Sequence, residues 1–132
     1  MKKICTCILL IIFLVLLSAC HNDSSSDKVE NGTYILDQKE SDEGEVLPYI
    51  NIEENKMVFS YNLLSSYLPY GTFTVKDGML TMTTDDKKYT YVFQIDGDNL
   101  IFQKDKSSSV NLIDDRLGTK LTDQAKFHRR EE

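Results

Sequence analysis

The chain of 132 residues has no tryptophan, two prolines and two histidines, and it is short of positive charge. Its 15 Lys and Arg stand against 21 Asp and Glu, a net charge of −6. Nucleic-acid binding needs a basic footprint, so this balance argues against nucleic acid as a partner. The histidines, His21 and His128, lie near opposite ends of the sequence. A Ser-His-Asp triad needs a histidine held against its nucleophile, and a zinc site needs three or four His, Cys or acidic ligands. Two separated histidines serve neither, so the chain is expected to be no enzyme and to hold neither a metal nor a cofactor. Cysteine is equally scarce. Cys5, Cys7 and Cys20 all fall in the first twenty residues, within a leader that is set aside before the fold is read.

That leader is the strongest signal present. Lys2 and Lys3 precede an almost purely apolar run from Ile4 to Leu17. As a helix it would rise about 21 Å, short of the roughly 30 Å hydrocarbon core, so it is predicted to be a signal-peptide core and not a spanning helix. Leu17-Ser18-Ala19-Cys20 matches the bacterial lipobox. Cleavage is expected between Ala19 and Cys20, with Cys20 carrying a diacylglyceryl group. Two acyl chains anchor stably where one is marginal. The mature chain would then be 113 residues at net −8, without a free thiol. It would be lipid-anchored on the extracytoplasmic face of a Gram-positive cell membrane. The polar, Ser- and Asp-rich stretch that follows reads as a flexible tether over 20–31, spanning roughly 18 Å on average.

From Gly32 onward the dominant period is two, the mark of half-buried strands. Strands are predicted at Gly32–Leu36, Leu47–Ile52, Lys56–Tyr61, Gly71–Val75, Met79–Thr84, Lys88–Ile95 and Leu100–Gln103. A further one is possible at Val110–Ile113, and Asp123-x-Ala125-x-Phe127 offers an edge strand before charged Arg129 to Glu132 end the order. Turns separate them, with Asp77-Gly78 a strong hairpin signal. Strands at this spacing, in linear order, favour an all-β antiparallel up-and-down meander of seven or eight strands. Such a meander forms a small lipocalin-like barrel or a strongly curled sheet. The domain is expected over 32–118, with 119–132 as a C-terminal edge segment and tail. The inward set is expected to be Tyr34, Leu36, Ile50, Ile52, Met57, Phe59, Phe73, Val75, Leu80, Met82, Tyr89, Tyr91, Phe93, Ile95, Leu100 and Phe102. These could fill the barrel or leave a ligand cavity.

Several stretches together resemble a family of small Firmicutes lipoproteins. They are Asn31-Gly32-Thr33-Tyr34, Leu47-Pro48-Tyr49-Ile50, Phe59-Ser60-Tyr61 through Leu64-Ser65-Ser66-Tyr67-Leu68-Pro69-Tyr70-Gly71, and Thr84-Asp85-Asp86-Lys87-Lys88-Tyr89-Thr90-Tyr91-Val92-Phe93 with Leu100-Ile101-Phe102. The same stretches are similar to the extracytoplasmic domain appended to membrane metallopeptidases of the beta-lactam-sensor type. The resemblance implies a lipocalin-like β fold and no established activity. No His-Glu-x-x-His motif occurs, so the peptidase portion is missing. Tyr34 stands where lipocalins carry tryptophan, and lipocalin ligand binding is not carried over.

Two regions are candidates for a partner. Asp37 to Glu45 is acidic, with Glu40, Asp42, Glu43 and Glu45, and either stays solvated near an anionic membrane or attracts a cationic partner. Tyr61, Leu63, Leu64, Tyr67, Leu68 and Tyr70 crowd apolar groups into a connection. That segment either caps one barrel end or forms an exposed aromatic contact surface. The sequence thus predicts a monomeric, non-catalytic accessory module for a protein or peptide in the cell envelope, in a narrower version an immunity-type module. A small-molecule or lipid carrier is the alternative.

Overall fold

The period of two becomes a closed barrel. A computed structural model describes residues 28–38, 47–61, 70–110 and 121–131. Eight strands follow in order: β1 (Gly32–Leu36), β2 (Tyr49–Glu53), β3 (Lys56–Ser60), β4 (Tyr70–Lys76), β5 (Met79–Thr84), β6 (Thr90–Asp96), β7 (Asn99–Phe102) and β8 (Lys126–Arg129). Consecutive strands pair antiparallel, and β8 pairs with β1 to close the circle. The all-β, up-and-down meander expected from the sequence is the observed architecture.

Strand bounds shift where side chains compete with the ladder. Lys88 and Tyr89 were expected in β6 but belong to the turn before it. The Lys88 amide donates to Asp86 Oδ1 at 3.0 Å, and the Tyr89 amide donates to Thr84 Oγ1 at 3.1 Å. Asp77-Gly78 is the hairpin turn its sequence announces, with φ of 52° and 71° at the two positions, the pattern of a type I′ turn. Val110 is not in a strand, and the remainder of the possible strand at 110–113 lies outside the described residues.

The largest departure is at the C-terminus. The segment read as an edge strand is the closing strand, with Leu100↔Phe127 on one side and Leu36↔Phe127 on the other. Arg129, expected to end the order, lies inside β8 opposite Tyr34. Phe127 is fully buried and Leu121 and Ala125 nearly so, which adds three side chains to the expected core. Phe73, Val75, Tyr89 and Ile95 are only partly buried but pack against that core. Val92 faces outward yet is 8% exposed. The chain after β7 runs beside it, with the Gln103 amide on the Val92 carbonyl at 2.9 Å and Ser107 Oγ accepting the Val92 amide at 2.9 Å.

At the middle of the barrel Phe59 is ringed by aromatics from other strands. Its ring centroid is 5.0 Å from Tyr91, 5.3 Å from Phe93, 5.9 Å from Phe102 and 6.0 Å from Phe127. Rings from β3, β6, β7 and β8 therefore meet across the lumen, in the edge-to-face and tilted geometries that aromatic pairs prefer. Side chains fill the barrel at this level.

Candidate functional site

An up-and-down barrel sorts its connections between two ends. The turns β2–β3, β4–β5 and β6–β7 lie at one end, the base, together with the start of β1 and the finish of β8. The connections β1–β2, β3–β4, β5–β6 and β7–β8 lie at the other, the far end.

The base is a built structure. Val29 packs against the core, and Tyr34 Oη donates to the Glu30 carbonyl at 2.8 Å. Asn31 Oδ1 accepts the Glu54 amide at 3.2 Å. Arg129 reaches Asp98 Oδ1 at 3.1 Å and Glu30 Oε2 at 3.9 Å. The sequence assigns 20–31 to a tether; of that stretch Val29 packs against the core, and the exposed Glu30 and Asn31 are tied to the base by the polar contacts above. Beside them an open groove of about 890 Å³ is lined by Asn31, Gly32, Thr33, Arg129, Arg130 and Glu131. Its polar groups are mostly engaged. Besides the contacts above, Thr33 Oγ1 donates to Asn51 Oδ1 at 3.3 Å. Among these partners Arg129 had no signal beyond the alternation Ala125-x-Phe127-x-Arg129.

Burial pushes the Tyr34 phenol above its ordinary range, partly countered by the nearby Arg129 guanidinium. Folding thus favours the protonated phenol. The contribution is complete below the unfolded value near pH 10 and is lost as pH rises through the folded value. Tyr34→Phe is expected to cost about 0.5–1.5 kcal/mol at pH 7 through the lost hydrogen bond. It should also flatten the fall in stability above about pH 10. Urea unfolding at pH 7 and across pH 9–11 checks both.

At the far end the structure separates the predicted contact residues. Tyr61, offered as a contact residue, belongs to the core instead. It is 8% exposed, with its ring 5.2 Å from Phe59 and 6.1 Å from Tyr91, because its side chain follows Phe59 into the barrel mouth. Tyr70 is the exposed member, at 54%. Leu64, Tyr67, Leu68, Glu40, Asp42, Glu43 and Glu45 lie outside the described residues, as do Ala19 and Cys20. The topology nevertheless brings the ends of their segments to one place. The β1–β2 connection leaves from Leu36 and returns at Tyr49, and the β3–β4 connection leaves from Ser60 and returns at Tyr70, both at the far end.

Other candidates resolve into local structure. Asp86 Oδ1 accepts Thr84 Oγ1 at 2.7 Å within the β5–β6 turn. Asp96 ends β6 and Asp98 lies in the β6–β7 turn, where Asn99 Nδ2 donates to the Asp96 carbonyl at 3.0 Å. His128 is exposed on the outer face of β8. Among the described residues no three His, Cys, Asp or Glu are grouped to hold a metal, and no helix is long and apolar enough to cross a membrane. No protein-family model, no curated protein and no solved structure matches this chain.

Proposed function

We propose that the protein is a lipid-anchored, extracytoplasmic binding module without catalytic activity, and that its partner is a protein or peptide of the cell envelope docking at the far end. One observation carries this. The acidic β1–β2 connection and the apolar β3–β4 connection both leave from and return to the end opposite the point where Val29 joins the barrel, at Leu36, Tyr49, Ser60 and Tyr70. An anchor at Cys20 would hold the base toward the membrane and turn both segments outward. The aromatic rings that meet inside the barrel occupy the space a carried small molecule would need, which favours the binding module over the carrier.

Two measurements test the proposal in a Gram-positive host expressing the full chain. Cys20→Ala is expected to abolish acylation and move the protein from the membrane to the soluble fraction, because the apolar anchor is lost. Persistent acylation of that variant would sink the anchor. A photo-crosslinking residue placed at Tyr70 is expected to capture an envelope protein, while the same residue at Asp98, at the base, is not. Equal capture from both positions, or capture from Asp98 alone, removes the far end as the docking surface.

A further inference from the structure

Of the seven asparagines, Asn31 alone precedes a glycine. The pair stands where the N-terminal segment meets the barrel, with Gly32 the first residue of β1. An asparagine side-chain amide is an electrophile, and the next main-chain nitrogen is its nearest nucleophile. A side chain on the following residue crowds that nitrogen, and glycine has none. Asn22, Asn51, Asn55, Asn62, Asn99 and Asn111 are each followed by aspartate, isoleucine, lysine or leucine. The fold controls both reacting groups. The Leu36 amide donates to the Pro48 carbonyl at 3.0 Å. In the alternation of an antiparallel ladder, Tyr34 and Gly32 therefore also turn their main-chain groups to β2, with Gly32 opposite Ile52. Thr33 and Asp37 turn the other way: the Thr33 carbonyl accepts the Arg130 amide at 2.8 Å, and the Asp37 amide donates to the Lys126 carbonyl at 2.7 Å. The Gly32 nitrogen is thus committed to the Ile52 carbonyl. The Asn31 side chain is held toward the β2–β3 turn, its Oδ1 accepting the Glu54 amide at 3.2 Å. Asn31 is exposed, so water reaches it.

We propose that Asn31-Gly32 is a site of spontaneous, one-way deamidation, gated by the pairing of β1 with β2. When the start of β1 parts from Ile52, the Gly32 nitrogen gives up its proton and bonds to Asn31 Cγ. The bond from Cγ to the side-chain nitrogen breaks, and that nitrogen leaves as ammonia, taking up the proton. Water then opens the five-membered imide at one of its two carbonyls. Opening at Cγ restores the normal main chain with an aspartyl residue. Opening at the main-chain carbonyl leaves an isoaspartyl residue, in which the chain runs through the side chain and gains one methylene. That extra atom shifts position 31 out of line with Glu54 or Gly32 out of line with Ile52. The isoaspartyl form therefore closes the base less well than its parent, and refolding does not undo the change. The site keeps a chemical record of each opening of β1. The inference is independent of the anchor and of the far-end surface.

The test ages the full-length chain in detergent micelles at mildly alkaline pH, with and without concentrated urea, and maps deamidation by digestion and mass spectrometry. In urea, position 31 is expected to deamidate ahead of every other asparagine. In the folded chain its rate should fall about tenfold or more, because only the open fraction reacts. Arg129→Ala, which removes the contacts to Asp98 and Glu30 at the base, should raise the folded rate about threefold or more. If that variant does not fold, Tyr34→Phe, which gives up the bond to the Glu30 carbonyl, carries the same comparison. The purified isoaspartyl form should lose amide protection at Ile52 and Tyr34 while the β4–β5 amides keep theirs. Equal rates in the folded and unfolded chain, deamidation led by another asparagine in urea, or undiminished protection of Ile52 in the isoaspartyl form overturns the proposal.

Discussion

Phe59→Ala is expected to destabilise the barrel by about 3–5 kcal/mol, the range for a fully buried aromatic truncated in a core. Against a total stability of about 5–15 kcal/mol for a domain, that is enough to leave much of the chain unfolded. The reason lies in position as much as size. Phe59 is 0% exposed, and five rings, two from β6, one each from β7 and β8, and Tyr61 just after β3, lie 5.0–6.0 Å from its own. Neighbours held by a closed ladder have little freedom to collapse into the space left behind, so the cavity persists and its cost adds to the lost transfer energy. Phe59→Leu keeps most of the volume and should cost about 1–2 kcal/mol. Urea unfolding of both variants checks the ratio. A second readout is the cavity itself. The Ala variant should be stabilised by benzene or xenon, as dry apolar cavities are, and the native protein should not. An Ala variant within about 1 kcal/mol of the native protein would mean that the lumen is not packed as described.

Gly71→Ala is the second large effect, and it is steric in origin. Gly71 faces into the barrel where β4 crosses closest to β5. A Cβ there would stand 2.1 Å from the Thr83 carbonyl oxygen, 2.8 Å from its carbonyl carbon and 2.9 Å from Thr84 Cα. All three are main-chain atoms, so relief requires β4 and β5 to part. The expected cost is about 3 kcal/mol or more, at the upper end for overpacking, with loss of amide protection centred on Thr72–Thr83. Gly97→Ala supplies the contrast. Nothing lies within 4 Å of a Cβ there, but φ is +58°, so its cost should be about 1–2 kcal/mol and purely conformational. Equal effects at the two glycines, measured by thermal unfolding, would contradict the close approach at Gly71.

What the sequence made legible was whatever one strand writes into its own alternation. Met79–Thr84 is read without error because Leu80, Met82 and Thr84 are inward and Met79, Thr81 and Thr83 outward. The order of strands followed from short turns such as Asp77-Gly78. β8 was under-read because it is four residues long and has a single large apolar residue, Phe127, with charge on either side. Its partners lie in β1 and β7, and no local pattern announces a pairing between chain ends. Tyr61 continues the alternation of Met57 and Phe59, and its packing against Tyr91 puts it in the core and not on a contact surface. Gly71 carried no local signal, since its constraint comes from Thr83 across the ladder. The candidate site was less legible than the fold. Composition singled out the acidic and aromatic segments, but only the topology brings their ends to the same rim.

The position of β8 has a kinetic consequence. β1 pairs with β8, the last of the described strands to be synthesised, so closure waits until Lys126–Arg129 has been made. A barrel closed by such a distant pairing belongs with β proteins that fold in milliseconds to seconds. Until Lys126–Arg129 is available, β1 and β7 would both present unpaired edges, and each is a template for strand exchange with a neighbouring copy. A stop codon ahead of Lys126 would therefore do more harm than the loss of a tail: it would leave seven strands that cannot form a ring.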